Sequence, residues 1–149
     1  MKRRFFSVVT TITIFAIVLF LTTAFAHQQQ QKGYILEHEK DVIKNEPGPH
    51  DGGGASTVNN FFSKDKDVKL AFRKRALHPG SSIGYHLQKE EEIYYILSGS
   101  GEMNMNGQTF TVQAGDGILT KPGSSHGLKQ IGKEDLVLII TYRTAGNGQ

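Results

Sequence analysis

Residues 93–112 read IYYILSGSGEMNMNGQTFTV. The apolar run 93–97 is cut by Ser98-Gly99-Ser100-Gly101, and two shorter runs, 102–104 and 108–112, flank Met105-Asn106-Gly107. An Asn-Gly pair between two short runs is a strong hairpin signal, because both residues accept positive φ. The same pattern continues in both directions. Upstream lie runs at 58–62, at 68–78 (ended by Pro79-Gly80) and at 83–88. Downstream lie 117–120 after Ala114-Gly115-Asp116, 126–130 after Lys121-Pro122-Gly123, and 136–142. Short strands at this spacing, with turn residues between them and no sustained 3.6-residue apolar period, predict an all-β sandwich or barrel. No internal repeat is visible.

The chain has 149 residues, enough for one domain and hardly enough for two. Its 17 glycines suit turns better than long helices. The absence of cysteine excludes disulfides, thiolate catalysis and cysteine-ligated zinc or iron–sulfur sites. Of the 17 basic residues, three are Lys2, Arg3 and Arg4; beyond residue 26, 14 basic side chains face 14 acidic ones. The main body therefore has no basic excess to attract nucleic acid.

Those three basic residues precede an uncharged apolar run, 5–21, and then Ala24-Phe25-Ala26. A basic start, an apolar stretch and small residues around a cleavage point predict a signal peptide over 1–26, with the mature chain beginning at His27. The expected product is exported, periplasmic or secreted, with no stable membrane anchor after cleavage. The other reading is an uncleaved anchor, since the segment is just long enough to span a bilayer. Residues 27–57 read as an N-terminal extension, partly disordered, that includes the Pro/Gly loop 46–54. Residues 34–43 could support a short strand or a turn of helix. The barrel is expected over 58–144, followed by a tail at 145–149.

Six histidines need sorting. His27, His38, His50 and His78 sit in polar, loop or strand-end sequence, where an exposed or turn histidine is the default. His50 stands apart from these, because a glycine-rich loop can fold over a site. His86 lies in an expected strand, so Gln88 shares its face by alternation. Glu92 opens the next strand after Glu90 and Glu91, and His126 lies in a later one. Two histidines and a carboxylate from antiparallel strands would make a facial ligand set, leaving coordination positions open. From the residues alone, a structural histidine beside a solvated acidic turn is the better reading.

The stretch 80–99, GSSIGYHLQKEEEIYYILSG, resembles the first motif of the cupin superfamily, with Gly80, His86, Glu92 and Gly99 at the motif spacings. The stretch 115–126, GDGILTKPGSSH, resembles the second, with Gly115, Gly123 and His126 in place. Lys121 replaces the first proline of that motif, with Pro122 one place later, and Gln130 stands at a position usually held by Asn. The resemblance implies an all-β, single-domain jelly-roll β-barrel, often a homodimer. It also implies one divalent metal ion (Fe, Mn, Ni, Zn or Co) held by His86, the residue at 88, Glu92 and His126. Gln88 stands where the family usually has a second histidine, and an amide oxygen is a harder, weaker ligand than imidazole. Gln88 ligates through oxygen, or supports the ligands from behind, or marks a site that no longer holds metal.

Tyr94 shares the face of Glu92, and reads either as a substrate contact near the metal or as a core aromatic. Arg73, Lys74 and Arg75 follow one another on an expected strand; one of them could bind a carboxylate, but a surface or edge strand is the default reading. The expected partner is a small molecule and not nucleic acid. The implied functions are a metal-dependent enzyme on a small polar molecule (dioxygenase, isomerase or lyase) or a non-catalytic module that binds a sugar or carboxylic acid. A structural dimer with a vestigial pocket is the weakest of the three readings.

Overall fold

The computed structural model describes residues 33–144. The signal peptide expected over 1–26, residue His27 and the tail at 145–149 lie outside the described residues. The chain divides after Leu36, and residues 33–36 hold no regular element. From Glu37 onward a short helix, α1 (Glu39–Val42), leads into the strands β1 (Ile43–Pro47), β2 (Ala55–Phe61), β3 (Leu70–Leu77), β4 (Ser82–Leu87) and β5 (Glu92–Ser98). Then come β6 (Ser100–Met105), β7 (Gln108–Gln113), β8 (Gly117–Thr120), β9 (Ser125–Ile131) and β10 (Leu136–Arg143).

All pairings are antiparallel. One sheet has the order β1-β2-β3-β10-β5-β8 and the other β4-β9-β6-β7, the jelly-roll architecture expected. The Asn106-Gly107 turn joins β6 to β7 with φ of 53° and 83°, so both residues take the left-handed conformation that a two-residue hairpin demands. Asn104 accepts the Gly107 amide at 3.0 Å and closes the turn.

Alternation fills the space between the sheets. Along β5, Glu92, Tyr94 and Ile96 are buried while Ile93, Tyr95 and Leu97 face outward. Ile96 meets Leu136, Leu138 and Ile140 of β10, Leu77 of β3, Met103 of β6, Val112 of β7 and Leu128 of β9 in one core. Burying each such side chain contributes roughly 1.5–3 kcal/mol. The core fills one end of the sandwich, and inward positions at the other end carry polar side chains.

The expected start of the barrel at residue 58 falls inside β2, and the large sheet extends back to Ile43. Residues 34–43 expected as strand or helix supply one of each, α1 and the first residue of β1. Strand β1 reads IKNEP and leaves nearly all its side chains exposed at the sheet edge. It has no apolar face that would announce it in the sequence.

Strand β4 breaks strict alternation. Ile83 is buried in the core and His86 also points inward, three residues later. A register shift between them in the β4–β9 pairing resets the face. Gly84 lies within this irregularity. A Cβ there would sit 1.8 Å from the His50 carbonyl oxygen, so only glycine allows the approach.

Candidate metal centre

The irregular strand β4 places His86 directly opposite His126 of β9 in the Cα register. Glu92 reaches the same point from β5 in the other sheet. His126 is fully buried and Glu92 is 6% exposed. His126 Nε2 lies 3.3 Å from His86 Nε2 and 3.2 Å from Glu92 Oε2. One ligand atom from each of the three residues falls within 4.8 Å of the others.

Neighbours set the ring orientations. His86 Nδ1–H donates to the Gly84 carbonyl at 2.8 Å, which leaves a lone pair on Nε2 facing the cluster. His126 Nδ1 lies 2.8 Å from the buried Thr120 hydroxyl. A hydroxyl both donates and accepts, so Thr120 permits His126 to turn either a proton or a lone pair inward. The Glu92 Oε2 atom is buried without a hydrogen-bond partner, since its contact with His126 is close but not aligned. An unpartnered buried carboxylate is costly unless a cation sits beside it. Two imidazole nitrogens and one carboxylate oxygen are a donor set that suits a first-row divalent ion. Three donors about 2.0–2.2 Å from one ion on one side of it lie roughly 3 Å apart, and the separations of 3.3 Å and 3.2 Å from His126 Nε2 already match that spacing. The residues present therefore fit the implied metal.

Two members of the cluster, His86 and Glu92, line a cavity of about 520 Å³ together with Gln88 and Tyr94. Gln88 follows the end of β4, and its main chain is tied to the β8–β9 turn by bonds to Ser124 and Gly123. Tyr94 takes the core place that one sequence reading gave it. It belongs to the core, and its ring packs on His126 with centroids 5.2 Å apart. Burial, and then the neighbouring Glu92 carboxylate, pushes the Tyr94 phenol well above its ordinary value, so it remains a neutral donor.

One residue corrects the sequence reading, and a second adds to it. Arg75 is not on a surface or edge strand: β3 lies between β2 and β10, and Arg75 is 4% exposed. Its flanking residues Lys74 and Ala76 are only partly buried, and it points inward with Ala71 and Leu77. Arg75 Nη1 donates to Ser56 Oγ at 2.6 Å, and Nη2 to Glu46 Oε2 at 3.1 Å. The Nε–H is buried without a partner, and the side chain lines the cavity. The run Arg73-Lys74-Arg75 concealed this, because three consecutive charges read as a solvated strand. Period-two alternation among apolar neighbours was the available signal.

His50 is exposed and lies in a turn, as expected, but it is not isolated. Its ring lies flat on His86, with centroids 3.5 Å apart and planes 7° from parallel. His50 and the adjacent Asp51 hold φ of 53° and 58°, a conformation that costs a non-glycine residue roughly 1–2 kcal/mol. Burial, with the neighbouring His86 ring next, pushes the His50 imidazole below its ordinary value. No short-range sequence pattern links residue 50 to residue 86.

The remaining candidates have structural places. His78 pairs with Asp135 at 3.0 Å near the surface. Lys74 bonds Glu39, and Arg73 stacks over Tyr142. Asp116 caps its own turn by accepting the Gln113 amide. Gln130 is buried: its oxygen accepts from the Gly80 amide and its nitrogen donates to carbonyls at 131, 132 and 134. Lys121 is exposed.

Residues 74–142 match the family profile described as Cupin_2, a cupin domain. The oxalate-binding protein of Thermotoga maritima is 44% identical over 88 residues, which cover 57% of this chain and 73% of its own length. The crystal structure of a predicted oxalate decarboxylase from Thermotoga maritima superposes with a TM-score of 0.68 at 30% identity, over 74% of this chain and 99% of that one. A 5-nitrosalicylic acid 1,2-dioxygenase of Bradyrhizobium is 22% identical over 133 residues, spanning 70% of this chain and 64% of that protein.

Proposed function

The chain belongs to the cupin family, and we propose that its barrel holds one divalent metal ion and captures a small carboxylate there. His86, Glu92 and His126 would hold the ion, with Gln88 as an optional fourth ligand through its amide oxygen. When bound, the ion supplies a Lewis-acid anchor for a carboxylate oxygen. One observation carries the reading. His86 and Glu92 of the candidate cluster line the same cavity as the buried Arg75, whose Nε–H has no partner. Arg75 supplies a fixed positive charge and an unused donor, which a carboxylate satisfies with a charge-assisted hydrogen bond. The Tyr94 hydroxyl offers a further neutral donor. Ser56 and Glu46 hold the guanidinium in place, so little entropy is lost when an anion arrives.

Oxalate is the candidate ligand, because a dianion with a carboxylate at each end answers both the ion and Arg75. The oxalate-binding relative supports capture over turnover. The experiment is elemental analysis of the purified protein, followed by calorimetric titration of the metal-loaded and metal-free forms with oxalate, acetate and a neutral sugar. Metal-dependent binding of oxalate, weaker binding of acetate and no binding of the sugar is the expected order. Equal binding with and without metal would sink the proposal. Monitoring oxalate consumption in the same samples separates a binder from an enzyme.

A further inference from the structure

The glycine-rich loop between β1 and β2 is built onto the metal-bearing strand with more care than a connection needs. The Gly84 amide donates to the Pro49 carbonyl at 2.9 Å, and the Ser82 amide donates to the Gly53 carbonyl at 3.3 Å. Within the loop, the Gly52 amide closes on Pro49 at 3.1 Å, and the Gly48 amide closes on Gly54 at 3.2 Å. A Cβ at Gly52 would lie 2.1 Å from the Ser82 carbonyl oxygen, and one at Gly84 would lie 1.8 Å from that of His50. Loop and strand therefore meet backbone to backbone. Two consecutive non-glycine residues, His50 and Asp51, turn through positive φ at the point of contact.

The outcome of this construction is one side-chain contact, the face-to-face stack of His50 on His86. The edge of the same His86 ring is held by the Gly84 carbonyl. Gly84 is also the residue that the loop grips. The His86 ring is thus fixed twice, through its edge by Gly84 and through its face by His50. His126 has comparable support from Thr120 at its edge and Tyr94 on its face.

We propose that His50 is a positioning residue of the metal site, which fixes the plane of the His86 ring by stacking and does not itself ligate. The inference rests on the reading that His86 is a metal ligand. A ligand ring whose plane is fixed in advance loses less freedom when the ion binds, so affinity rises without any new bond to the ion. Stacking needs a flat ring at residue 50 and makes no use of its nitrogens.

The test compares His50→Phe with His50→Ala, titrating each full-length protein with cobalt(II) and following the d–d absorption bands. His50→Phe keeps a flat ring and removes both nitrogens. It is expected to retain wild-type affinity within about threefold and wild-type band positions. His50→Ala is expected to lose roughly 10–100-fold in affinity, the range for residues that orient a ligand from behind. Equal loss in both variants would show that a ring nitrogen matters and would overturn the proposal. No loss in His50→Ala would overturn it too. A wild-type protein that binds none of cobalt, manganese or nickel overturns the metal reading itself, and this proposal with it. Circular dichroism melts of both variants establish that each is folded before titration.

Discussion

Two stretches of chain contribute to the site in different ways, beside a wall completed by Ile140, Tyr142, Arg143 and Thr144. The stretch from Gly80 to His126 delivers the three candidate metal ligands at regular spacings on paired strands. The stretch from Glu46 to Arg75 delivers a buried guanidinium, the serine and carboxylate that hold it, and a histidine on a loop bolted to β4. The first provides atoms that can bind an ion. The second provides a charge for a ligand and a brace for His86. The family motifs therefore describe the candidate ligands, and the guanidinium and the brace come from strands and a loop ahead of them.

If the division holds, damage to the first stretch should abolish metal binding, loss of the Arg75 guanidinium should spare metal while weakening the ligand, and loss of the His50 brace should weaken metal binding without abolishing it. His126→Ala is the harshest case. It removes a buried donor and leaves Glu92 beside an empty space, so metal affinity should fall by at least about 100-fold. Equilibrium dialysis with elemental analysis measures it, and full occupancy in the variant would place the site elsewhere. Arg75→Gln should leave the metal in place and reduce oxalate affinity roughly 10–100-fold, in keeping with the loss of a hydrogen bond to a charged group worth about 1.5–3 kcal/mol. Calorimetry on metal-loaded protein reads both quantities, and a large loss of metal would break the division.

Smaller changes sharpen the comparison. Tyr94→Phe keeps the ring on His126 and removes only the donor, so oxalate affinity should fall about threefold to tenfold. Because the phenol is held well above its ordinary value, the ratio of wild type to variant should stay level as pH rises past neutrality. A ratio that shrinks over that range would mean that the phenol ionises there. Gln88→His restores the usual family residue and should keep or raise affinity for nitrogen-preferring metals by no more than about tenfold. A clear drop would assign the amide a specific role.

The ten strands were legible in large part because turn residues mark their ends. Nine expected runs correspond to β2 through β10, and 117–120 coincides with β8. Alternation also placed Tyr94 on the face of Glu92, and the motif spacings selected Glu92 over Glu90 and Glu91. These are local properties: a strand sends every second side chain to one face, and a left-handed turn selects Asn and Gly. Strand β1, the inward face of Arg75 and the stack of His50 on His86 depended on the tertiary structure. Whether β3 lies at an edge or inside its sheet is set by which strands pair with it, and β10 joins it from more than 60 residues away. The reset of faces between Ile83 and His86 comes from an irregular pairing with β9, and His50 reaches His86 only because two backbones pack where Gly84 has no side chain. Contacts between distant segments leave no periodic trace along the chain, so the candidate ligands could be read from the sequence and the residues packed around them could not.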